Sequence, residues 1–162
     1  MPEQPAIFAF SQPEENSGYL LWQVSMRWQL LMNQQLSTVG LTLTQFALLA
    51  ALHWLTRQRE VVTQQGLADH AQTDKMMTSK VVQTLERKLL LERAAHPTDN
   101  RARQLLLTPA GQALLRQANA LVEEVDAAFF GPVHVQQESF KLLMRQLLRL
   151  PTEGTPPDGK GW

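Results

Sequence analysis

The stretch that decides the fold of this chain is residues 63–111, which read TQQGLADHAQTDKMMTSKVVQTLERKLLLERAAHPTDNRARQLLLTPAG. Its pattern divides it into a short helix, a turn, a longer helix, and two short apolar runs that flank a polar loop containing Pro97. That is the order of a helix-turn-helix followed by a β-hairpin wing. The short helix begins after Thr63, whose hydroxyl can cap exposed backbone N–H groups, although Gly66 lacks the side chain that would complete a reciprocal capping box.

The longer helix is predicted to run from Thr73 or Asp74 to about Lys88. Helical spacing places an apolar set on its core face, namely Met77, Val81, Val82, Leu85 and Leu89, with Met76 merely nearby. The other face carries hydroxyls, an amide and lysines, namely Lys75, Thr78, Ser79, Lys80 and Gln83. Hydroxyl and amide groups can bond base edges or phosphates, and lysines neutralise phosphate charge. This face is therefore a candidate for a DNA major groove, with an ordinary solvated helix face as the alternative.

The two apolar runs, residues 89–95 and 104–108, can pair as an antiparallel hairpin, because the residues between them include turn formers. Arg101 and Arg103 stand next to the hairpin, two residues apart, and so point to the same side of a strand. An arginine presented there can enter a narrow minor groove, where the negative potential is strongest. Asp99 is a candidate ion-pair partner that would fix the direction of one arginine.

At these residues the chain resembles the MarR family of bacterial transcriptional regulators. The resemblance rests on Asp74-Lys75, Ser79-Lys80, Leu85-Glu86-Arg87-Lys88, Glu92-Arg93, Asp99-x-Arg101, Leu107-Thr108 and Pro109-x-Gly111. It implies a mainly α fold with a small β-hairpin wing, that is, a winged helix-turn-helix plus a helical dimerisation region. Leu89 stands where the family usually has glycine, so a left-handed glycine cap is excluded there. The helix is expected to end differently, with the cationic side chains of Arg87 and Lys88 meeting its last carbonyls.

Helical patterns also flank this stretch. They predict helices over about residues 13–39, 109–130 and 135–150, and another that starts at Thr42 or Thr44 and ends at about Arg57. Val61-Val62 is a candidate third strand. The predicted division is an N-terminal arm and first helix for dimerisation (1–40), a winged helix-turn-helix DNA-binding domain (41–110), C-terminal dimerisation helices (111–150) and a disordered tail (151–162). The terminal helices carry more apolar surface than a small winged helix covers. A second copy would bury that surface in a two-fold dimer, and a monomer with self-capped helices is the alternative.

Composition limits the other functions. The chain has 15 Lys+Arg and 15 Asp+Glu, a balance unlike that of most nucleic-acid binders, yet residues 75–103 hold seven Lys/Arg against three Asp/Glu. The absence of cysteine excludes disulfides, thiolate zinc sites and cysteine redox switches. We find no histidine spacing for a metal, no phosphate loop and no catalytic constellation, so we predict no enzyme, no metal and no cofactor. Without a signal peptide or a long apolar run, the prediction is a cytoplasmic protein with no membrane partner.

Aromatic and thioether side chains gather on the first two predicted helices, at Trp22, Met26, Trp28, His53 and Trp54. Such side chains can line a ligand pocket, and the resemblance implies small amphipathic, often anionic aromatic effectors there. Ordinary core residues are the alternative. The sequence therefore predicts a sequence-specific transcriptional regulator of double-stranded DNA, a ligand-responsive repressor that acts as a homodimer on a palindromic site. A winged-helix module that only contacts proteins is the second hypothesis.

Overall fold

The computed structural model describes residues 9–58 and 61–150. The elements in that part of the chain are α1 (Ser17–Ser37), α2 (Leu43–Arg57), α3 (Gln64–His70), α4 (Lys75–Arg87), β1 (Leu91–Ala95), β2 (Arg103–Leu107), α5 (Pro109–Phe130) and α6 (Gln137–Leu147). A 3-10 turn at Pro13–Glu15 precedes α1, and another at Gly131–Gln136 joins α5 to α6. The mainly helical fold with a hairpin wing is confirmed. The predicted disordered tail and most of the apolar arm lie outside the described residues.

Side-chain caps begin five of the six helices. The carboxylate of Asp74 accepts hydrogen bonds from the backbone N–H groups of Met76 and Met77, each at 2.9 Å, and so starts α4. Thr63 caps α3 as predicted, with its Oγ1 3.1 Å from the nitrogen of Gly66. The caps of the other three are Asn16, Thr42 and Thr108. These caps satisfy N–H groups that the first turn of a helix leaves without partners, which fixes where each helix starts.

The C-terminus of α4 corrects one prediction. Leu89 itself adopts the left-handed conformation, with φ of 59°, although it has a Cβ. Its N–H donates to the carbonyl of Glu86 at 2.9 Å, and the N–H of Leu90 donates to the carbonyl of Leu85 at 3.0 Å. This pair of bonds is a Schellman motif, which satisfies the last carbonyls of the helix. The expectation that α4 would end in a different way, because glycine is missing, was therefore wrong.

The hairpin forms as predicted. Strands β1 and β2 are antiparallel, with Leu91 opposite Leu107 and Ala95 opposite Arg103. The candidate third strand is reduced to an isolated bridge between Thr63 and Gln104 and to a backbone bond of 2.7 Å from Leu105 to Val62. The start of α3 is thereby fixed to the wing.

The core lies between the end of α1, α2, α3, α4, the hairpin and the first half of α5. Its fully buried members include Leu36, Leu48, Leu49, Leu52, Leu67, Val82, Leu85, Leu91 and Leu105. Two residues predicted on the core face of α4 lie elsewhere, since Met77 is 40% exposed and Leu89 is 73% exposed. Leu89 lies beyond the last turn of α4, where the chain has already changed direction. No helix among the described residues is long and apolar enough to span a bilayer.

Candidate DNA-binding surface

The predicted DNA-facing residues of α4 divide into two groups. Lys75, Lys80 and Gln83 are exposed and Ser79 is half-buried. Thr78 is wholly buried, with its hydroxyl donating to the carbonyl of Asp74 at 2.9 Å and lying 2.8 Å from Oγ1 of Thr73. Thr78 is therefore not available to DNA, and its placement on the outer face was wrong.

The core face of α4 keeps the predicted Val82 and Leu85 but has Thr78 in place of Met77. Thr78, Val82 and Leu85 point inward, so the opposite stripe is Met76, Lys80, Gln83 and Arg87, all exposed. Met76 was missed as a surface candidate because it was placed merely beside an inward Met77, and Arg87 was missed because its cation was assigned to the last carbonyls of the helix. The missed signal was Thr78: a threonine can be buried when its hydroxyl bonds a carbonyl one turn earlier.

The wing presents both predicted arginines. Arg101 and Arg103 are exposed, on the turn and at the start of β2 respectively. Asp99 does not pair with either guanidinium; its carboxylate accepts the backbone N–H of Arg101 at 2.9 Å. The ring Nδ1 of His96 accepts the N–H of Asp99 at 3.1 Å. The loop is thus shaped by its own side chains, which set the backbone from which Arg101 projects.

Arg93 joins three elements of the head. From β1 its Nε lies 3.2 Å from a carboxylate oxygen of Glu86 on α4, and its terminal nitrogen donates to Oε1 of Gln64 on α3 at 2.9 Å. The guanidinium is well suited to this role because its donors form a rigid fork. The wing and α4 are therefore held in a fixed relation.

A second cross-link joins α4 to the α1–α2 junction. The ammonium of Lys88 donates to the carbonyl of Gly40 at 2.7 Å and to Oε1 of Gln45 at 3.3 Å. Gly40, with φ of 73°, is the left-handed residue that ends α1. Of the two predicted cationic contacts with the last carbonyls of α4, one forms. Arg87 donates from Nε to the carbonyl of Gln83 in its own helix at 3.4 Å, whereas Lys88 bonds the loop between α1 and α2.

The predicted effector residues lie on α1 and α2, but they do not form one enclosed site in a single protomer. Trp22, Met26 and Trp54 are exposed, while Trp28 and His53 are half-buried. The indole N–H of Trp28 donates to the carboxylate of Asp126 on α5 at 2.8 Å, which ties α1 to α5.

A cavity of about 920 Å³ lies between α1, α5 and α6, and none of those five side chains lines it. Its walls include Val24, Arg27, Leu31, Val125, Phe129 and Phe140. Within the two described ranges, no group of three or more His, Asp or Glu side chains could hold a metal ion.

Comparison with known proteins supports a regulator. The model of the MarR family matches residues 41–102. An uncharacterized HTH-type transcriptional regulator of Bacillus subtilis, YdcH, is 39% identical over 140 residues, which are 86% of this chain and 95% of that protein. An HTH-type transcriptional repressor of Mycobacterium tuberculosis is 30% identical over 131 residues, 80% of this chain and 91% of its own length.

Solved structures share the fold. A probable transcriptional regulator from Pseudomonas aeruginosa has a TM-score of 0.74 at 28% identity, covering 84% of this chain and 99% of that chain. A MarR mutant from E. coli complexed with operator DNA has a TM-score of 0.72 at 23% identity, covering 81% of this chain and 92% of that chain. BpsR of Bordetella bronchiseptica has a TM-score of 0.76 at 24% identity, covering 90% of this chain and 100% of that chain. Its structure concerns the regulation of its DNA binding by 6-hydroxynicotinic acid. The chain belongs to the MarR family of transcriptional regulators.

Proposed function

We propose that this regulator is a homodimeric repressor that binds a palindromic site in duplex DNA through α4 and the wing. The observation that carries the proposal is the exposed stripe of Lys80, Gln83 and Arg87 on α4, with Arg101 and Arg103 on the neighbouring hairpin. Residues 75–103 have a local charge of +4, although the whole chain is neutral. The E. coli protein of the same fold, complexed with operator DNA, supports the assignment.

The side chains suit different parts of a duplex. In the proposal, Gln83 and Ser79 meet base edges in the major groove, because an amide can form two bonds to adenine and a hydroxyl can bond to several bases. Lys75 and Lys80 neutralise phosphates, which gives affinity without sequence preference. Arg101 and Arg103 enter the minor groove or bond phosphates, while Asp99 shapes the loop that carries Arg101.

A second copy accounts for the apolar surface at the ends of the chain. Helix α6 lies wholly within the described residues, and none of its 11 residues is buried in one protomer. Its exposed apolar side chains include Leu142, Leu143 and Leu147, and the chain continues to exposed Leu148. Exposed patches of this kind are typical of interfaces rather than of monomer surfaces. We assign this helix and the apolar cavity between α1, α5 and α6 to the dimer, with residues 41–110 as the DNA-binding domain.

Two-fold symmetry explains why the site would be palindromic. A closed dimer presents the same helix twice, related by the same axis that relates the half-sites of a palindrome. Each copy then reads one half-site in the major groove.

We further propose that a small amphipathic aromatic molecule regulates this binding, through the side chains of Trp22, Met26, Trp28, His53 and Trp54. Exposed tryptophans supply flat apolar area for such a ligand. DNA binding by BpsR, a protein of the same fold, is regulated by 6-hydroxynicotinic acid. The Lys88 link from α4 to the α1–α2 junction offers a physical route, since a ligand that prefers one placement of α1 would shift the placement of α4.

The decisive test is binding of the purified full chain to duplex DNA from its own upstream region, across a series of salt concentrations. The proposal expects binding that weakens steeply as salt rises, because phosphate contacts release counterions. Failure to bind any duplex at low salt would instead support a module that only contacts proteins.

The dimer has its own test. In a Leu143→Glu and Leu147→Glu double variant, the molar mass from light scattering should fall to that of one protomer, and binding to the palindrome should be lost. Gln146→Glu on the same helix is the matched control, because it adds charge without removing an apolar side chain. A dimeric double variant would refute the assignment of α6 to the interface.

A further inference from the structure

One side chain of the proposed DNA-binding stripe is apolar. Met76 is 71% exposed, the most exposed methionine in the described part of the chain, whereas Met32 is fully buried. It lies in the first turn of α4, directly after Lys75, and its N–H donates to the capping carboxylate of Asp74 at 2.9 Å. Water contact brings no favourable free energy to a thioether, so the isolated protomer does not explain this position.

The geometry of α4 places Met76 on the same face as the polar residues of the proposed DNA surface. Lys80, Gln83 and Arg87 follow it at intervals of four, three and four residues, so these side chains share one face of the helix. That face is opposite the buried Thr78, Val82 and Leu85. A duplex that contacts Lys80 and Gln83 at once therefore also approaches Met76. The next residue, Met77, lies on the flank and is less exposed, at 40%.

We propose that Met76 is a specificity-determining residue that contacts the C5 methyl group of a thymine in each half-site. The inference rests on the proposed function, and it adds a base preference to it. Thymine is the only one of the four bases that presents a methyl group in the major groove. The first turn of a recognition helix is the part that reaches base edges, and a flexible, unbranched thioether can fill the space beside a methyl.

Met76 would then make one apolar base contact within an otherwise polar surface. In the proposed function Ser79 and Gln83 distinguish bases by hydrogen bonds, which thymine and uracil offer equally in the major groove. Deoxyuridine differs from thymidine only in lacking the methyl. Replacing thymidine by deoxyuridine therefore isolates the proposed contact from every hydrogen bond of the site.

The experiment starts from duplexes that the full chain selects out of a random pool. Each thymine of a selected duplex is then replaced by deoxyuridine, and the Kd is measured at one fixed salt concentration. We expect one symmetry-related pair of positions at which the loss of a methyl weakens binding about fourfold in one half-site and about fifteenfold in both. In Met76→Ala, the difference between thymine and uracil at those positions should disappear.

Two variants serve as controls. Met76→Leu keeps an apolar side chain of similar size and should keep most of the methyl dependence. Met77→Ala removes the neighbouring methionine and should keep all of it. Thermal melting of each variant shows that the fold is intact.

The outcomes separate the inference from the function on which it rests. Sequence-selective binding with no effect of deoxyuridine at any position would overturn the role of Met76 alone, as would a Met76→Ala variant that keeps the full methyl dependence. Failure to select any duplex would overturn the proposed function as well.

Discussion

The backbone of Gly111 touches the carbonyl of Leu90: a Cβ at position 111 would lie only 1.9 Å from that oxygen. Thr108 strengthens the same junction, since its hydroxyl donates to the carbonyl of Leu89 at 2.7 Å and its N–H donates to that of Leu90 at 3.2 Å. The start of α5 is thus seated directly on the link between α4 and β1. This contact explains why glycine is needed two residues after Pro109.

Gly111→Ala should lower the free energy of unfolding by about 2–3 kcal/mol, because the added methyl meets backbone atoms that cannot rotate away. Denaturant unfolding of the variant and the parent measures the difference. Gly131→Ala is the control, as a Cβ at position 131 meets nothing within 4 Å. Equal losses in the two variants would show that the close approach does not matter.

Leu89→Gly should raise the free energy of unfolding by about 1 kcal/mol. A left-handed conformation costs a residue with a Cβ about 1–2 kcal/mol, part of which is offset by the greater freedom of glycine in the unfolded chain. Little burial is lost, since Leu89 is mostly exposed. Leu89→Ala keeps the Cβ and is the comparison in the same denaturant titration. A glycine variant no more stable than the alanine variant would contradict the strain argument.

Lys88→Met should lower the free energy of unfolding by up to about 1 kcal/mol, because it removes the ammonium from the carbonyl of Gly40 between α1 and α2 while keeping an apolar stem. Lys75→Met is the matched control, since the ammonium of that exposed lysine has no partner in the described residues. Hydrogen exchange at the backbone N–H groups of Leu41 and Leu90 should also become faster in Lys88→Met alone. Identical exchange in both variants would argue against a link between α1 and α4.

Lys80→Ala should weaken binding to all duplex sequences by a similar factor. If Lys80 neutralises one phosphate, the slope of log K against log salt should become shallower by about 1 for each Lys80 removed from the complex. Arg116→Ala, an exposed cation on α5, should leave the slope unchanged. An unaltered slope in Lys80→Ala would rule out the phosphate contact.

Arg101→Ala should cost about 1–3 kcal/mol of binding free energy if the wing reads a groove. Arg101→Lys separates the two roles of the charge, because lysine can neutralise a phosphate but lacks the planar fork of arginine. A large loss of affinity in both variants indicates groove recognition, whereas a loss of affinity only in Arg101→Ala indicates a phosphate contact. Parent-like affinity in Arg101→Ala would remove the wing from the proposed DNA surface.

Most of the fold could be predicted from the sequence, because helix caps and hydrophobic periodicity depend on residues close together in the chain. Thr63, Asp74 and Thr108 bond N–H groups two or three residues away, and these bonds set helix starts. The start of α1 was placed too early, at Pro13, because the proline turn there forms only a 3-10 turn before Asn16 caps the helix.

Less of the candidate site could be predicted from the sequence, because the residues that were placed wrongly depend on contacts between elements. Burial of Thr78 depends on a hydroxyl bond and on packing that hydrophobicity alone does not show. The carbonyl of Leu89 is bonded by the hydroxyl of Thr108, 19 positions away, and the Lys88 bond joins residues 48 positions apart. Local sequence patterns do not show such long-range bonds. By contrast, the exposed stripe of α4 that contains Met76 can be deduced from helical spacing once one buried residue of the helix is known.

A helix with no fully buried residue in its own protomer makes folding depend on the amount of protein. Under the proposed assembly, α6 completes its burial only on association, so by mass action the melting temperature of the protein rises with its own concentration. Scarce copies would be both less folded and less paired, and occupancy of a promoter would then fall faster than the amount of repressor.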